Sequence, residues 1–224
     1  MGPTILRPGQ RLIVPGVRVF QPSMATPTQW WLSGGISAAN CIAAYAPKGA
    51  ADLASSYMNL ANPGTYNAAP GVAPTFATAD GWTFNGASQY LTTGIVPAAG
   101  WSIAIRYSNM TGGGGMAGAR IAFANSQFYT LINRFAYGNA NNDTWLGVAG
   151  ATIVMAAGAA YVDSVLKGTL SGTFGGTVPS IFIGAINTNG TVSIYGSVKI
   201  QAISIYNISI ASYVSALTTA INAL

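Results

Sequence analysis

The segment at residues 81–91 constrains the fold of this chain most strongly. It reads Gly-Trp-Thr-Phe-Asn-Gly-Ala-Ser-Gln-Tyr-Leu, so Trp82 and Phe84 are two residues apart and face the same side of an extended strand. The dipeptide Asn85-Gly86 follows at once and supplies the positive φ that a tight hairpin turn requires. The segment therefore predicts an aromatic strand, a hairpin turn and a second strand that begins at Tyr90.

Short stretches with a period of two recur through the rest of the chain. In the clearest of them, the large side chains alternate with smaller or polar ones, as expected for a half-buried strand. The large ones are Trp101, Ile103, Ile105 and Tyr107. Asn189-Gly190 marks another hairpin turn. Further strands are predicted at 120–124, 127–133, 160–165, 181–186, 191–195 and 198–206. Such a succession of short strands is typical of a β-sandwich or a barrel.

One helix is predicted, at the carboxyl end of the chain. Its apolar side chains fall on one stripe, and Ser209 is placed to cap its first turn. The helix is expected to lie on the sandwich. The stripe consists of Ile210, Tyr213, Val214, Leu217 and Ile221.

Charge is scarce in this chain. Charged residues make up 6% of the sequence, against about 25% in typical soluble proteins. A surface with so little charge has weak electrostatic protection against association, so we expect neighbouring subunits to cover much of it. The alternative is a monomer coated with Ser, Thr and Asn.

The first 29 residues predict an extended arm ahead of a sandwich at residues 30–224. Prolines recur every five to seven residues, which blocks both helix and central strand pairing. Arginines without interleaved aromatic residues favour contact with a partner protein over nucleic acid. An arm that wraps its own sandwich is the alternative. The predicted assembly contacts are Arg7, Arg11, Arg18 and Phe20.

The composition removes most of the side chains that enzymes use. The chain has no His and no Glu, and its four carboxylates, at Asp52, Asp80, Asp143 and Asp163, are far apart in sequence. General acid and base catalysis and divalent metal binding both need such groups close together. We therefore predict a protein that is not an enzyme and uses no metal or cofactor. The single Cys41 predicts a small buried residue rather than a disulfide.

Neither a secretory signal nor a membrane span is predicted. Arginines interrupt the first twenty residues where a signal peptide has its apolar core. The longest uncharged run, residues 144–162, contains three glycines and the β-favouring Thr152-Ile153-Val154. It therefore predicts two strands around an Ala/Gly turn rather than a membrane helix.

Three segments together resemble the concanavalin A-like, laminin G type jelly roll. They are Gly-Trp-Thr-Phe-Asn-Gly with Tyr90-Leu91, the strand Trp-Ser-Ile-Ala-Ile from Trp101, and the stretch from Ile181 through Gly196 to Asn207 with the helix that follows. The resemblance covers about residues 30–224. It implies an all-β, two-sheet antiparallel jelly-roll sandwich with a short C-terminal helix and an extended N-terminal arm.

The family to which this resemblance points contains glycoside hydrolases, binding modules and structural modules of virions and cell surfaces. The hydrolases need two carboxylates flanking the scissile bond and carry Glu residues for that role, whereas this chain has no Glu. A calcium-assisted sugar site has one candidate loop, residues 139–143, whose simpler interpretation is a polar hairpin loop. For metal-free sugar binding, the candidate contacts are Trp30, Trp31, Trp145 and Asn141.

The sequence therefore leaves two functional predictions. The first is a structural virion protein, a bacteriophage capsid decoration subunit on the capsid exterior, present in many copies and bound to other capsid subunits through its arm and sandwich surface. The alternative is a non-enzymatic carbohydrate-binding adhesion module of a phage tail or fibre or of a cell surface.

Overall fold

The computed structural model describes residues 29–111, 114–122, 125–143 and 150–224. The first half of this part contains β1 (Cys41–Tyr45), α1 (Leu53–Ser56), β2 (Ala69–Val72), β3 (Thr75–Ala77), β4 (Gly81–Asn85), β5 (Tyr90–Thr92), β6 (Ser102–Thr111) and β7 (Gly115–Arg120). The second half contains β8 (Gln127–Leu131), β9 (Phe135–Gly138), β10 (Ala140–Asn142), β11 (Ala151–Ala156), β12 (Ala159–Val162), β13 (Val165–Thr169), β14 (Phe182–Ile183), β15 (Ile186–Thr188), β16 (Thr191–Ser193), β17 (Ser197–Tyr206) and α2 (Val214–Asn222).

These strands form two sheets packed face to face. The eight-stranded sheet has the order β13-β12-β11-β6-β17-β4-β3, with β1 paired to β17. The nine-stranded sheet has the order β10-β9-β8-β7-β14-β5-β2, with β15 and β16 joined to it at β7. The pairs are antiparallel except for β15 with β7. The predicted two-sheet antiparallel sandwich with a short C-terminal helix is thereby confirmed.

The main core lies between the sheets and is rich in aromatic and β-branched side chains. Ile103, Ile105 and Tyr107 face it from β6, as their alternation predicts, while Trp82 and Phe84 face it from β4. Because successive side chains of a strand point to opposite faces, these residues leave the intervening positions for the outer face of the sheet.

A second core covers the outer face of the eight-stranded sheet. Alanines at positions 44, 104 and 202 line that face, and their small side chains let α2 approach the strands closely. Val214, Leu217 and Ile221 of α2 pack there together with Trp30 and Trp31 of a preceding 3₁₀ turn. The predicted apolar stripe is therefore what docks the helix.

The Asn-Gly turn at residues 85–86 does not form the predicted hairpin. Strand β4 pairs with β3 and β17, whereas β5 pairs with β2 and β14, so the turn carries the chain from one sheet to the other. Gly86 does adopt a positive φ of 71°, and the Asn85 Oδ1 accepts hydrogen bonds from the backbone N–H groups of three following residues. The residues of the turn determine its backbone conformation. They do not determine whether β4 and β5 pair with each other, because each of these strands pairs with other strands in its own sheet.

Ser209 does not cap the C-terminal helix. Helix α2 begins at Val214 after a 3₁₀ turn at Ala211–Tyr213, and no side chain caps it. The backbone N–H of Ile210 instead donates to the Ser102 Oγ, which itself donates to the Ile208 carbonyl oxygen. A serine distant in sequence thus fixes the segment that precedes the 3₁₀ turn.

Other boundaries differ in several places. The strand predicted at 160–165 is broken after Val162, because Asp163 and Ser164 adopt positive φ and turn the chain into β13. The strand predicted at 181–186 is divided into β14 and β15, with a positive φ at Gly184 between them. The strand predicted at 120–124 is wrong at its described positions, because β7 spans Gly115–Arg120 and residues 121 and 122 lie beyond its end.

Hairpins at 157–158 and 189–190 form with positive φ at both positions, as expected for type I′ turns. Among the described helices, none is long and apolar enough to cross a membrane. The arm at residues 1–28 lies outside the described residues.

Candidate functional site

The outer face of the nine-stranded sheet, meaning the face turned away from the core, carries a row of residues that crosses six strands. Directly opposed residues of neighbouring antiparallel strands share a face, so the pairing register identifies the row. Gly118 lies near the middle of the row, between Tyr129 and Phe182. A side chain does not fit at this position, because a Cβ there would come within 2.3 Å of the Tyr129 Cβ. The row is Asn141, Ala136, Tyr129, Gly118, Phe182 and Thr92.

Three rings form an outer aromatic cluster at one end of this face: Tyr90, Phe182 and Tyr195. The Tyr90 and Phe182 centroids are 5.0 Å apart, and those of Tyr90 and Tyr195 are 6.4 Å apart in a T-shaped arrangement. Gly71 leaves room for the Tyr90 ring, since a Cβ at that glycine would lie 2.1 Å from the Tyr90 Cζ. Tyr90 and Tyr195 are half-buried and Phe182 is 8% exposed, so the two tyrosines present the accessible ring surface.

Arg120 lies beside this row, two residues along β7 from Gly118. Its guanidinium carbon is 5.8 Å from the centroid of the buried Tyr129 ring, within the range of a cation–π interaction. Its Nε donates to the Thr188 Oγ1 at 2.9 Å, and that hydroxyl is 2.6 Å from the Ser193 Oγ. Two adjacent elements therefore hold the guanidinium in place on the outer face.

Arg134, which also interacts with Tyr129, forms an ion pair with Asp143. Arg134 donates from its Nε to the Asp143 Oδ1 and from its Nη2 to the Asp143 Oδ2, the latter at 2.9 Å. The guanidinium holds the pKa of the Asp143 carboxyl below its usual range, and Asp143, together with Tyr129, raises the pKa of Arg134. Because the pKa of Asp143 is lowered in the folded protein, the contribution of the pair to stability is present at neutral pH. It is lost as the pH falls through that pKa.

The candidate calcium loop at residues 139–143 does not bring its side chains to one centre. The Asn139 Oδ1 accepts a hydrogen bond from the backbone N–H of Thr173 at 3.0 Å, and Asp143 is paired with Arg134. Asn141 and Asn142 belong to β10. Within the described residues, no three His, Cys, Asp or Glu side chains are grouped so that they could hold a metal ion.

The predicted sugar contacts are not brought together. Trp30 and Trp31 are 2% and 5% exposed in the core under α2, so neither ring is accessible to a sugar. Trp145 lies outside the described residues, as do the predicted arm contacts Arg7, Arg11, Arg18 and Phe20. Asn141, half-buried, does lie on the outer face of the nine-stranded sheet, at the end of the row described above.

Sequence reasoning missed the outer aromatic cluster and Arg120. Tyr90 alternates with buried Leu91, and Phe182 with buried Ile183, which is a signal that these rings point away from the core. The sequence does not show which of the two sheets α2 covers, so it does not show which outer face remains open.

A concave surface lies at the loop that follows β1. A depression of about 380 Å³ is formed by residues from Ala46 to Leu60, with Met58 and Leu60 43% and 37% exposed at its rim. Buried Asn59 fixes this loop: its Oδ1 accepts from the backbone N–H groups of residues 44, 61 and 62, and its Nδ2 donates to the carbonyls of residues 42 and 65. The depression is mostly apolar, with Lys48 as its charged residue.

Cys41 shows no sign of reactivity. It is buried under α2, and burial raises the pKa of its thiol to about 12. At neutral pH the thiol is therefore protonated, and a protonated thiol is a poor nucleophile. The prediction of a free, buried cysteine is confirmed.

No protein-family model matches this sequence, and no curated protein matches it. Solved structures do resemble the chain. A Trypanosoma rangeli sialidase mutant with trans-sialidase activity is 15% identical, with a TM-score of 0.56 over 83% of this chain and 34% of that one. The sialidase from the same organism in complex with sialic acid is 14% identical, with a TM-score of 0.55 over 80% and 33%.

In a third similar structure, the matched region includes almost the whole of the solved domain. Domain 4 of a GH43 extracellular arabinanase from Geobacillus stearothermophilus, in complex with arabinotriose, is 19% identical, with a TM-score of 0.55 over 80% of this chain and 98% of that domain. The shared feature is the β-sandwich. The chain spans about a third of the sialidases it resembles, and at these identities the likeness concerns the fold alone. The laminin G assignment and the virion role stay predictions.

Proposed function

We propose that this chain is a carbohydrate-binding β-sandwich module without catalytic activity, of the kind that attaches a phage tail or a cell surface to a glycan. The observation that carries this proposal is the outer aromatic cluster, Tyr90, Phe182 and Tyr195, on the outer face of the nine-stranded sheet. Aromatic rings with a polar tip suit sugars, whose C–H faces stack on the rings while their hydroxyls need hydrogen bonds.

Polar groups that suit sugar hydroxyls lie on the same face as the cluster, at increasing distance from it along the row. Asn141 offers a carbonyl oxygen and an amide at one end of the row, and Arg120 offers guanidinium donors nearer the cluster. A domain of similar fold that is found with arabinotriose also supports the proposal, since it shows that such a sandwich takes a glycan.

The absence of catalysis is part of the proposal. Hydrolysis of a glycosidic bond by two carboxylates needs the pair within about 5–9.5 Å of each other, one acid and one nucleophile or base. Here Asp143 pairs with Arg134, Asp80 pairs with Lys199, and Asp52 caps α1. These carboxylates are engaged in structural contacts on different elements of the sandwich.

Glycan binding by the full chain tests this function. We expect Tyr195→Ala to weaken binding about tenfold, because it removes an accessible ring worth roughly 1 kcal/mol or more of stacking. Titration calorimetry with the tightest ligand from a glycan array is the measurement. Tyr213→Ala, which alters a half-buried ring beside α2, is the matched control and is expected to leave affinity unchanged. Equal affinity of the Tyr195→Ala variant and the wild type would contradict this site.

A second function, a structural virion subunit such as a capsid decoration protein, is favoured by one observation. Met58, Leu60 and Tyr66 are 43%, 37% and 45% exposed on the loop fixed by Asn59, in a chain with 6% charged residues. Exposed apolar side chains grouped around an apolar depression are typical of surfaces that other subunits cover. In this proposal a second copy of the chain packs on the depression.

Self-association distinguishes this second function. If the depression is a subunit contact, the chain is expected to form a concentration-dependent oligomer in sedimentation velocity, and Met58→Glu with Leu60→Glu is expected to return it to monomer. The charges would be buried without partners at such an interface. Val165→Glu with Leu166→Glu, on the exposed edge strand β13, is the matched control. A wild-type monomer at all concentrations would remove the contact.

A further inference from the structure

All four side-chain carboxylates of this chain lie in the described residues, and each has a partner there. Asp143 pairs with Arg134, and Asp80 with Lys199 at 2.8 Å. The Asp52 Oδ1 accepts from the backbone N–H of Ser55 at 2.7 Å, and the Asp163 Oδ1 from that of Thr152 at 2.9 Å. None of them is paired with Arg120.

Arg120 is nevertheless held in a defined position. Its Nε is bonded to Thr188, and one face of its guanidinium lies over the Tyr129 ring. Within the described part of the chain, neither of its Nη groups has a hydrogen-bond partner. A guanidinium fixed through its Nε and one face keeps a pair of parallel N–H donors at its far edge, and this is the geometry that binds planar oxyanions.

The side chain of Gln127 has one polar atom without a partner, although its Nε2 donates to the Gly138 carbonyl oxygen at 3.4 Å. Gln127 is directly opposite Arg120 in the pairing of β7 with β8, and by alternation it shares the face of Tyr129. Its side chain is fully buried, and its Oε1 has no hydrogen-bond partner. An unpaired buried carbonyl oxygen is unfavourable by about 1–3 kcal/mol, and a hydroxyl of a bound molecule could satisfy it.

We propose that Arg120 and Gln127 form a subsite for an acidic group on the glycan, so that this module prefers sugars bearing a carboxylate or a sulfate over their neutral parents. The inference rests on the glycan-binding function proposed above and names the class of its ligand. The Arg120 Nη groups donate to the oxyanion, and the Gln127 Oε1 accepts from a neighbouring sugar hydroxyl. The outer aromatic cluster, whose Phe182 is directly opposite Gly118 on the same face, stacks on an adjoining sugar ring.

A comparison of acidic and neutral sugars tests the subsite. The probes are trigalacturonate and sulfated lactose as acidic ligands, with arabinotriose and lactose as neutral ones, presented on an array and then titrated by calorimetry. We expect an acidic ligand to bind about tenfold more tightly than a neutral one, because hydrogen bonds to a charged group are the stronger kind. The carboxylate and the sulfate arms show which oxyanion the subsite takes.

Variants assign the preference to Arg120. Arg120→Gln is expected to abolish it, and Arg120→Lys, which keeps the charge and the stem over Tyr129, to lose most of it because an ammonium has no fork. Arg106→Gln, on the eight-stranded sheet, makes the same charge change elsewhere and is expected to retain it. Thermal unfolding of each variant shows whether its fold is intact.

The possible outcomes separate the two proposals. Equal binding of acidic and neutral sugars, or a preference that survives Arg120→Lys, would overturn the subsite and leave the glycan-binding function standing. A preference lost equally in Arg106→Gln would also overturn it, since that result indicates general charge attraction. No binding to any sugar on the array would remove both.

Discussion

Replacing Trp82 with alanine is expected to lower the free energy of unfolding by about 3–5 kcal/mol, as large-to-small substitutions of buried aromatic residues do. Trp82 is fully buried in the main core, with Tyr45, Tyr57 and Phe84 rings at centroid distances of 6.1, 6.1 and 6.5 Å. Loss of this ring leaves a cavity that several neighbours line. It also removes the bond from the Trp82 Nε1 to the buried Ser56 Oγ, 2.7 Å long.

Trp82→Phe separates these two contributions. It keeps most of the apolar volume but removes the donor, so we expect a smaller loss, roughly 1–2 kcal/mol. Urea unfolding followed by circular dichroism measures both variants, and Trp101→Phe, at a half-buried position, is the matched control. If Trp82→Ala were no more destabilising than Trp101→Phe, the position of Trp82 in the core would be wrong.

Replacing Asn59 with alanine is expected to be the most damaging change outside the core, with a loss of about 3 kcal/mol. The Asn59 side chain is fully buried and makes hydrogen bonds with backbone groups of residues 42, 44, 61, 62 and 65. Alanine leaves those groups without this partner, and an unsatisfied buried group is unfavourable in proportion to its burial. The loop should also become mobile.

Hydrogen exchange and urea unfolding together test the role of Asn59. The amide of Ala44, which donates to the Asn59 Oδ1, is expected to exchange faster in the variant. Asn133→Ala is the matched control, because Asn133 is exposed. An Asn59→Ala variant with the stability of the Asn133→Ala variant would show that the loop does not depend on this side chain. It would also weaken the case for a preformed depression beside it.

Several features of the fold can be predicted from short stretches of sequence. The alternation of Ile103, Ile105 and Tyr107 identified a strand and the face that it buries. The Asn189-Gly190 turn identified a hairpin, since only a few residues tolerate the positive φ that it needs. Both properties depend on a few neighbouring residues, so a sequence read without its structure can show them.

The candidate site was much harder to predict. Asn141 was identified, but the outer aromatic cluster and Arg120 were not, and Trp30 and Trp31 proved to be buried under α2. Each strand of a sandwich has two faces, and alternation separates them without saying which face another element covers. That depends on where α2 docks, which is a contact between parts of the chain more than a hundred residues apart.

By itself, the sequence determined an all-β chain with one terminal helix, a scarcity of charge, and four carboxylates that are far apart along the chain. Only the tertiary structure decided that Asn85-Gly86 joins two sheets. It also decided that all four carboxylates have partners other than Arg120, so that the Arg120 guanidinium lies on the Tyr129 ring with no carboxylate paired to it. The physical reason is the distance along the chain between the residues that interact. Backbone torsions and alternation are set by adjacent residues, whereas strand partners, burial and charge pairing are set by residues that meet only once the chain has folded.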